Sequence, residues 1–456
     1  MNQLNSRQLE IFRQTDDTND SIFALAGLIP NAATLTVSEF LRAVNALMAK
    51  LDQAITAQIN EIIHHEVFQH LEAVWRGTSL LVNTKADTDE IKIKILNASW
   101  DDLKRDMTKS MEFDQSTLFD KVYSDEFGSP GGEPYGLMIG DYYANLQGIG
   151  SRDDLAALKD VAEIMAASFC PFVMSVTAQS FELDSYASAC SFANIDDVFK
   201  QAKYSRWQEL RKIPEARFVS LMLPRALTRA PYNSETIKIG HYCFQEQIET
   251  YEDYCWGNAS FVLGATIIKN QRKNNWPVAR DNTITYKNTD ARSNGNMKFL
   301  ELEFDAVDNS ELATNGLVTI QAHDTEFTII EPVSIFNVDD QDSVDVKIAS
   351  KLNYLLCLCR FAHHIKLLGR DLVGKLYSPE ACQAYFSKWI IKYTASNEIA
   401  EQTRFQYPLE DAQVMVTQSE SQPGVYKCTM YLKPRLYLEK VSNALALVTE
   451  LTNFDL

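Results

Sequence analysis

Residues Asp114–Tyr142 read DQSTLFDKVYSDEFGSPGGEPYGLMIGDY, and the reading of this stretch decides the fold. The chain has 17 glycines, and five of them, Gly128, Gly131, Gly132, Gly136 and Gly140, fall within thirteen residues here. None lies between Gly77 and Gly128. Such a cluster marks a backbone that turns sharply or takes positive φ. Before it, Phe113, Leu118, Phe119, Val122, Tyr123 and Phe127 are spaced for one helical face. After it, Leu137-Met138-Ile139 reads as a short buried strand. The unit is aromatic helix, glycine loop, strand.

Working outward, Asp153 to Phe169 is an alanine-rich helix and Pro171 to Val176 a strand, which makes a βαβ unit. Upstream, residues 1–37 are polar with short apolar patches, and form a partly ordered arm. Ser38 offers an N-cap to a long helix in which Leu41, Val44, Leu47, Leu51, Ile55, Ile59 and Ile62 recur every three or four residues. This spacing is read as the face of a core helix rather than a coiled-coil seam. Ile91, Ile93 and Ile95 alternate with Lys92 and Lys94, the pattern of a strand with one wet face. Helices are expected over 99–112, 195–210, 254–272, 344–368 and 380–393. Strands are expected over 218–223, 299–304, 317–321 and 327–330. Residues 277–298 are polar and read as a surface loop. Ala412, Val414 and Val416, then Tyr426, Cys428, Met430 and Leu432, alternate with partners across a Pro423-Gly424 turn, giving a C-terminal hairpin. The expected fold is α+β or α/β, mixed sheets with flanking helices, an N-terminal helical region and a C-terminal strand hairpin. Its division is an arm at 1–37, a core in two parts at 38–276 and 299–405, the polar segment between them, and the hairpin region 406–456.

Composition excludes several functions. A chain of 456 residues buries a large core, and 46% hydrophobic with 23% charged residues is ordinary for a soluble protein. With 43 Lys plus Arg against 61 Asp plus Glu, a net charge of −18 repels phosphate backbones, so nucleic acid is not an expected partner. No apolar run approaches the ~18 residues that cross a bilayer, so no membrane insertion is expected. The eight cysteines include no C-x-x-C pair and read as reduced, buried thiols of a cytoplasmic protein.

Chemical motifs are missing too. There is no G-x-x-x-x-G-K-[ST] loop, no G-x-G-x-x-G and no G-x-S-x-G. His64-His65 and His363-His364 are adjacent pairs that cannot share a helix face, so metal ligation is not expected of them. Cys359 and His363 are four apart on a helix, which is conceivable for a nucleophile pair, but packing is the preferred reading. Glu133 and Asp141 flank the glycine loop, where loop hydrogen bonding is preferred to acid–base work. No catalytic residue, cofactor or metal is expected.

Several stretches share wording with one family, in fixed order: Gln58, Asn60-Glu61-Ile62, His64-His65, Phe68, Leu71-Glu72, Trp75-Arg76-Gly77; the glycine loop itself; Leu223-Pro224-Arg225 with Arg229 and Pro231-Tyr232; Tyr254 to Ala259; Glu311-Leu312-Ala313; and Cys359 to Lys366. In these words the chain resembles the large subunit of the type VI secretion contractile sheath, over about residues 50–275 and 300–440. The polar segment 277–298 departs from the glycine-rich one usual there, and suggests a divergent branch such as the Francisella-type one. The resemblance implies a contractile-sheath-like fold and no cofactor. It implies a small sheath subunit as heterodimer partner, other copies of the chain in a helical sheath, an inner tube protein, a baseplate, and a AAA+ disassembly ATPase reading the N-terminal arm. Gly131, Gly132, Glu133, Trp75, Arg76, Pro224, Arg225, Arg360, His363, Val414, Val416, Tyr426 and Met430 are taken as structural or assembly residues, with the hairpin pairing across subunits. An α/β enzyme with a site near Gly128–Asp141 and a monomeric binding scaffold are the alternatives.

Overall fold

The computed structural model describes residues 29, 34–86, 90–129, 131–147, 153–188, 195–233, 238–239, 242–274, 276, 283–285, 299–323, 326–338, 344–372, 378–394, 407–418, 426–434 and 445–451. Nearly all of the N-terminal arm, most of the polar segment 277–298 and the Gln422-Pro423-Gly424 turn lie outside them. The described helices of ten residues or more are α1 (Val37–Ile63), α2 (Glu66–Thr84), α3 (Trp100–Lys109), α4 (Asp154–Ser168), α5 (Ser260–Asn274), α6 (Leu352–Leu372) and α7 (Pro379–Ile390). Strands of five residues or more are β1 (Met138–Ala144), β2 (Phe172–Val176), β3 (Val219–Leu223), β4 (Leu317–His323), β5 (Glu326–Ile330), β6 (Leu409–Gln418), β7 (Tyr426–Pro434) and β8 (Leu445–Leu451). The chain divides into two compact units, residues 1–69 with 231–254, and residues 70–230 with 255–456.

In the first unit, α1 begins two residues earlier than its Ser38 suggests. Thr36 is the cap, because Glu39 stands three residues on and its carboxylate accepts the Thr36 N–H at 2.8 Å. At the other end of α1, the His64 ring lies 3.1 Å from the Glu246 carboxylate, which also accepts the Tyr232 N–H at 2.8 Å.

The second unit is built on a six-stranded sheet, ordered β1-β2-β3-β4-β5 and closed by the short strand Thr283–Thr285. The first four strands run parallel; β5 pairs antiparallel with β4 on one side and with Thr283–Thr285 on the other. β2 and β3 are buried along their whole length. Phe172, Met174, Leu221 and Leu223 face α4, whose Leu158, Val161, Ile164 and Met165 are inaccessible. Val173, Met222, Val318 and Ile320 face the opposite way, toward Phe261, Val262 and Ala265 of α5. A period of two thus feeds two cores, as a parallel sheet covered on both faces requires. A second sheet, β6-β7-β8, is antiparallel. Val414, Val416, Cys428, Met430 and Leu432 form its inner face, against Cys382 and Phe386 of α7 and Phe361 and Ile365 of α6.

The aromatic helix runs through Thr117–Phe119, Asp120–Ser124 and Asp125–Gly128, and its middle segment is a π-helix. A wider turn brings residues four apart almost into line, and the rings use this. Phe119 stacks on Tyr123 at 4.9 Å, Tyr123 lies 5.0 Å from Phe127, and Phe127 lies 5.8 Å from the ring of His363 on α6. The glycine loop then closes on Glu126. Gly131 supplies the left-handed turn at φ 82°, and the Glu133 N–H reaches the Glu126 carboxylate at 2.7 Å. Lys94 approaches the same carboxylate at 2.6 Å, and Lys92 pairs with Glu133.

Several expectations change. Gly140 is not in the loop: β1 continues through it to Ala144, with Asn258 Nδ2 donating to the Tyr142 carbonyl at 3.1 Å. The alternating Ile91–Ile95 segment joins no ladder; its lysines fasten it to the glycine loop. Residues 299–304 contribute one isolated bridge, Ala226 to Leu300, rather than a strand. The helix expected over 195–210 breaks into Ile195–Phe199, Ala202–Tyr204 and Ser205–Leu210. Phe199 and Tyr204 are both fully buried, and a continuous helix would point them about 140° apart. The helix expected over 344–368 is interrupted at Ser350-Lys351, where the Ser350 carbonyl accepts from Ser334 N–H at 2.8 Å and Leu352 N–H donates to Pro332 at 2.9 Å. Part of the polar segment, Thr283–Thr285, is an edge strand rather than loop.

A Cβ at Gly132 would overlap the Glu126 carbonyl, standing 2.7 Å from its carbon, whereas one at Gly136 meets nothing within 4 Å. Gly132→Ala is therefore expected to destabilise by about 1–3 kcal/mol, and Gly136→Ala to change little. Thermal melts of the two variants check this, and equal midpoints would refute it.

Candidate assembly surfaces

The residues singled out by sequence are distributed rather than gathered into one pocket. On α2, Arg76 Nε donates to Glu72 at 2.7 Å, and the buried Arg229 donates to the same oxygen at 2.8 Å. Burial opposes the charge of Glu72, yet the two guanidiniums hold its carboxyl below the ordinary value. Trp75, the next residue in the motif, is 62% exposed. Pro224 follows a cis peptide bond, and Arg225 makes a fork of 2.7 and 2.9 Å to Glu301. Glu301 is buried and also accepts the Tyr186 N–H at 3.1 Å. Sequence reasoning missed Glu301; its signal was a carboxylate set inside the apolar run Phe299–Phe304. Arg360 sits 5.6 Å from the Trp276 ring.

His363 is buried, and its Nε2 lies 3.0 Å from the Ser168 carbonyl at the end of α4. Burial pushes its imidazole down to about 4, so the ring is neutral and donates this hydrogen bond. Cys359 is buried as well, and burial pushes its thiol well above the ordinary value. A protonated thiol beside a ring engaged elsewhere makes no nucleophile pair. Glu133 is taken up by Lys92, and Asp141, half-buried, is raised by burial and bonded to Asn258. Among the described residues no group of three or more His, Cys, Asp or Glu could hold a metal ion.

Two elements leave apolar side chains exposed. On α1, Val37, Leu41, Met48, Leu51, Ile55 and Ile62 are 38–78% exposed. Leu41, Met48, Ile55 and Ile62 follow a strict seven-residue spacing, with Val37, Val44 and Leu51 interleaved. The core-helix reading is thus overturned: this stripe has the 3.5-residue period of a helix seam and is not covered. On the C-terminal sheet, Val414, Val416 and Met430 point inward, while Met415 and Tyr431 are 52% and 37% exposed on the outer face. Tyr426 pairs in register with Gln418 and with Leu451, so it lies on the central strand of three. The third strand comes from the same chain, and β6 and β8 are the sheet's two edges.

These features, a packed two-sheet scaffold with paired charges inside and apolar helix and strand surfaces outside, suit a subunit of an assembly. Family comparison agrees. Residues 45–328 match the tail sheath N-terminal domain described as EvpB/VC_A0108, and residues 341–451 match the tail sheath gpW/gp25-like domain of that description. The type VI secretion system sheath protein TssC1 of Pseudomonas aeruginosa is 29% identical over 463 residues, spanning 96% of this chain and 92% of that protein. A sheath tail protein from Desulfitobacterium hafniense aligns with a TM-score of 0.27 and 11% identity over 66% of this chain and 61% of its own, a likeness too slight to bear on the fold. The matches define a contractile tail-sheath protein, a structural class. The chain belongs to the EvpB/VC_A0108 tail sheath family, that of type VI secretion sheath large subunits.

The neutral His363 carries a pH prediction. Its folded value near 4 lies below the 6.5 of a free imidazole, so the unfolded chain binds more protons between the two. Stability therefore falls as pH drops through that window, by roughly 2–3 kcal/mol from this group by about pH 4.5. His363→Gln, which keeps a donor, should flatten the loss between about pH 6.5 and 4.5. Denaturant titrations at several pH values test it, and an unchanged slope would refute it.

Proposed function

We propose that this sheath subunit pairs through α1 with a helix of the small sheath subunit, and that the heterodimers polymerise around an inner tube and contract to drive it outward. The observation that carries this reading is the uncovered heptad stripe on α1. A two-helix seam removes such residues from water, each large side chain contributing about 1.5–3 kcal/mol when fully buried. A baseplate, from which the sheath grows, and a AAA+ ATPase that recycles it through residues 1–37 complete the proposed partners. The proposed setting is the bacterial cytoplasm; among the described residues no helix is long and apolar enough to cross a membrane.

Within the lattice, the edges of the C-terminal sheet are the proposed sites of pairing between copies. Open edges accept strands, and backbone hydrogen bonds resist tension along a wall. No catalytic role is proposed. The loop near Gly128–Asp141 that an enzyme would need is closed by Glu126, Lys94 and Lys92.

The double variant Leu41→Glu, Met48→Glu is expected to keep its helical content while losing co-purification with the small subunit, by about tenfold or more in affinity. Wild-type pairing by this variant would exclude α1 as the interface. In micrographs of the co-expressed pair at side-chain resolution, a strand of another subunit is expected beside β6 or β8. A sheath in which both edges stay unpaired would remove the strand-exchange part of the reading.

A further inference from the structure

We infer that Lys366 is a site of N-acylation, taking small activated acyl groups of the acyl phosphate or acyl thioester class. Its Nζ lies over three rings at once, 4.9 Å from the centroid of Tyr123, 5.0 Å from Phe127 and 4.8 Å from Phe169. Three separate elements build this box. Tyr123 and Phe127 come from the aromatic helix, where the π-turn brings them into line. Phe169 follows α4 in the left-handed conformation, at φ 51°. Lys366 itself comes from α6, one turn beyond His363.

The amine is held unlike the other lysines with clear partners. Lys92, Lys94, Lys104 and Lys203 each meet a carboxylate. Among the described residues Lys366 meets none, and its hydrogen bond is a long one, 3.5 Å to the Ala167 carbonyl. Ring faces stabilise an ammonium only in part and replace water poorly. Burial accordingly pushes the amine down to about 8. At about pH 7.5 roughly a quarter of it is then unprotonated, against about one part in a thousand for an ordinary lysine. Lys366 and all three rings are half-buried, so the box is not sealed from solvent.

The chemistry balances without a redox partner. The neutral amine attacks the acyl carbonyl carbon, a C–N bond forms, and the C–O or C–S bond breaks. Phosphate or thiolate leaves with the bond's electron pair, and the amine's proton passes to water. The product is an uncharged amide, which no longer makes the three cation–π contacts. The modification thereby loosens α6 from the aromatic helix and from the end of α4, while the bonds of Arg370 to the Phe127 and Ser129 carbonyls are left in place.

The test is competitive labelling of the full chain, in its soluble complex, with acetyl phosphate and in parallel with acetyl coenzyme A, read by peptide mass spectrometry. At about pH 7.5 Lys366 should be labelled ~5-fold or more faster than the exposed Lys50 and Lys388. Labelling by one donor alone identifies the source. Equal or slower labelling of Lys366 with both donors overturns the inference. Lys366→Arg, which keeps the charge over the rings, should lose the label and keep the melting temperature of the unmodified protein. Lys366→Gln should melt lower, as the labelled protein does. Should the glutamine variant not fold, the wild-type labelling ratio decides alone.

Discussion

A sheet that is apolar on both faces cannot leave either face wet, and the second unit is arranged to meet that demand. The residues of β2 and β3 alternate between two cores, so one strand loads both. Helix α4 covers one face with alanines and long aliphatic side chains, close enough that its residues Leu158 and Ile164 are inaccessible. Helix α5 covers the other with Phe261, Val262 and Ala265. Gly77 on α2 lets the Phe261 ring lie against bare backbone, since a Cβ there would stand 2.6 Å from a ring carbon. Where the pairing of β1 with β2 shifts register between Ile139 and Tyr143, Asn258 and Ser260 donate to the Tyr142 and Gly140 carbonyls, and Ser175 of β2 donates to Asn258.

Several charges inside the protein are held in fixed pairs. Arg225 forks to Glu301 and Arg229 reaches Glu72 across long stretches of chain, while Arg76, one turn along α2, shares the Glu72 carboxylate. Removing one partner strands the other in low dielectric, which costs far more than an exposed pair is worth. Arg76, Arg225 and Arg229 of the family wording each have a carboxylate partner within the chain. Trp75 is different: like Ile62, Phe68 and Leu71 of the same motif, it is an exposed apolar residue.

Much of the secondary structure was legible because it is governed by local patterns. The helix over 153–169 and the strand after it follow from composition and period alone, as does the hairpin with its inward Val414, Val416, Cys428 and Met430. What failed was whatever a distant residue decides. The isoleucine–lysine alternation at 91–95 looks like a strand, but among the described residues no strand pairs with it. The break at Ser350 is set by Pro332 and Ser334, which no local window contains. Glu301 could be seen only as an oddity until Arg225 was placed against it. On α1 the period marked Leu41, Leu51, Ile55 and Ile62, which are exposed, together with Val44, Leu47 and Ile59, which are half-buried, and period does not say which molecule covers such a face. A stripe facing the chain's own core and a stripe facing another chain have the same spacing.

That stripe makes the apparent stability of the first unit a question of mass action. Under the proposed pairing, a partner helix binds the folded state and not the unfolded one, so its concentration would enter the folding equilibrium directly. Copies made in excess of their partner keep long apolar helix faces in water, where they stick to one another or are degraded. The proposed pairing would thus make matched synthesis of the two chains a matter of physical chemistry, through one exposed face of one helix.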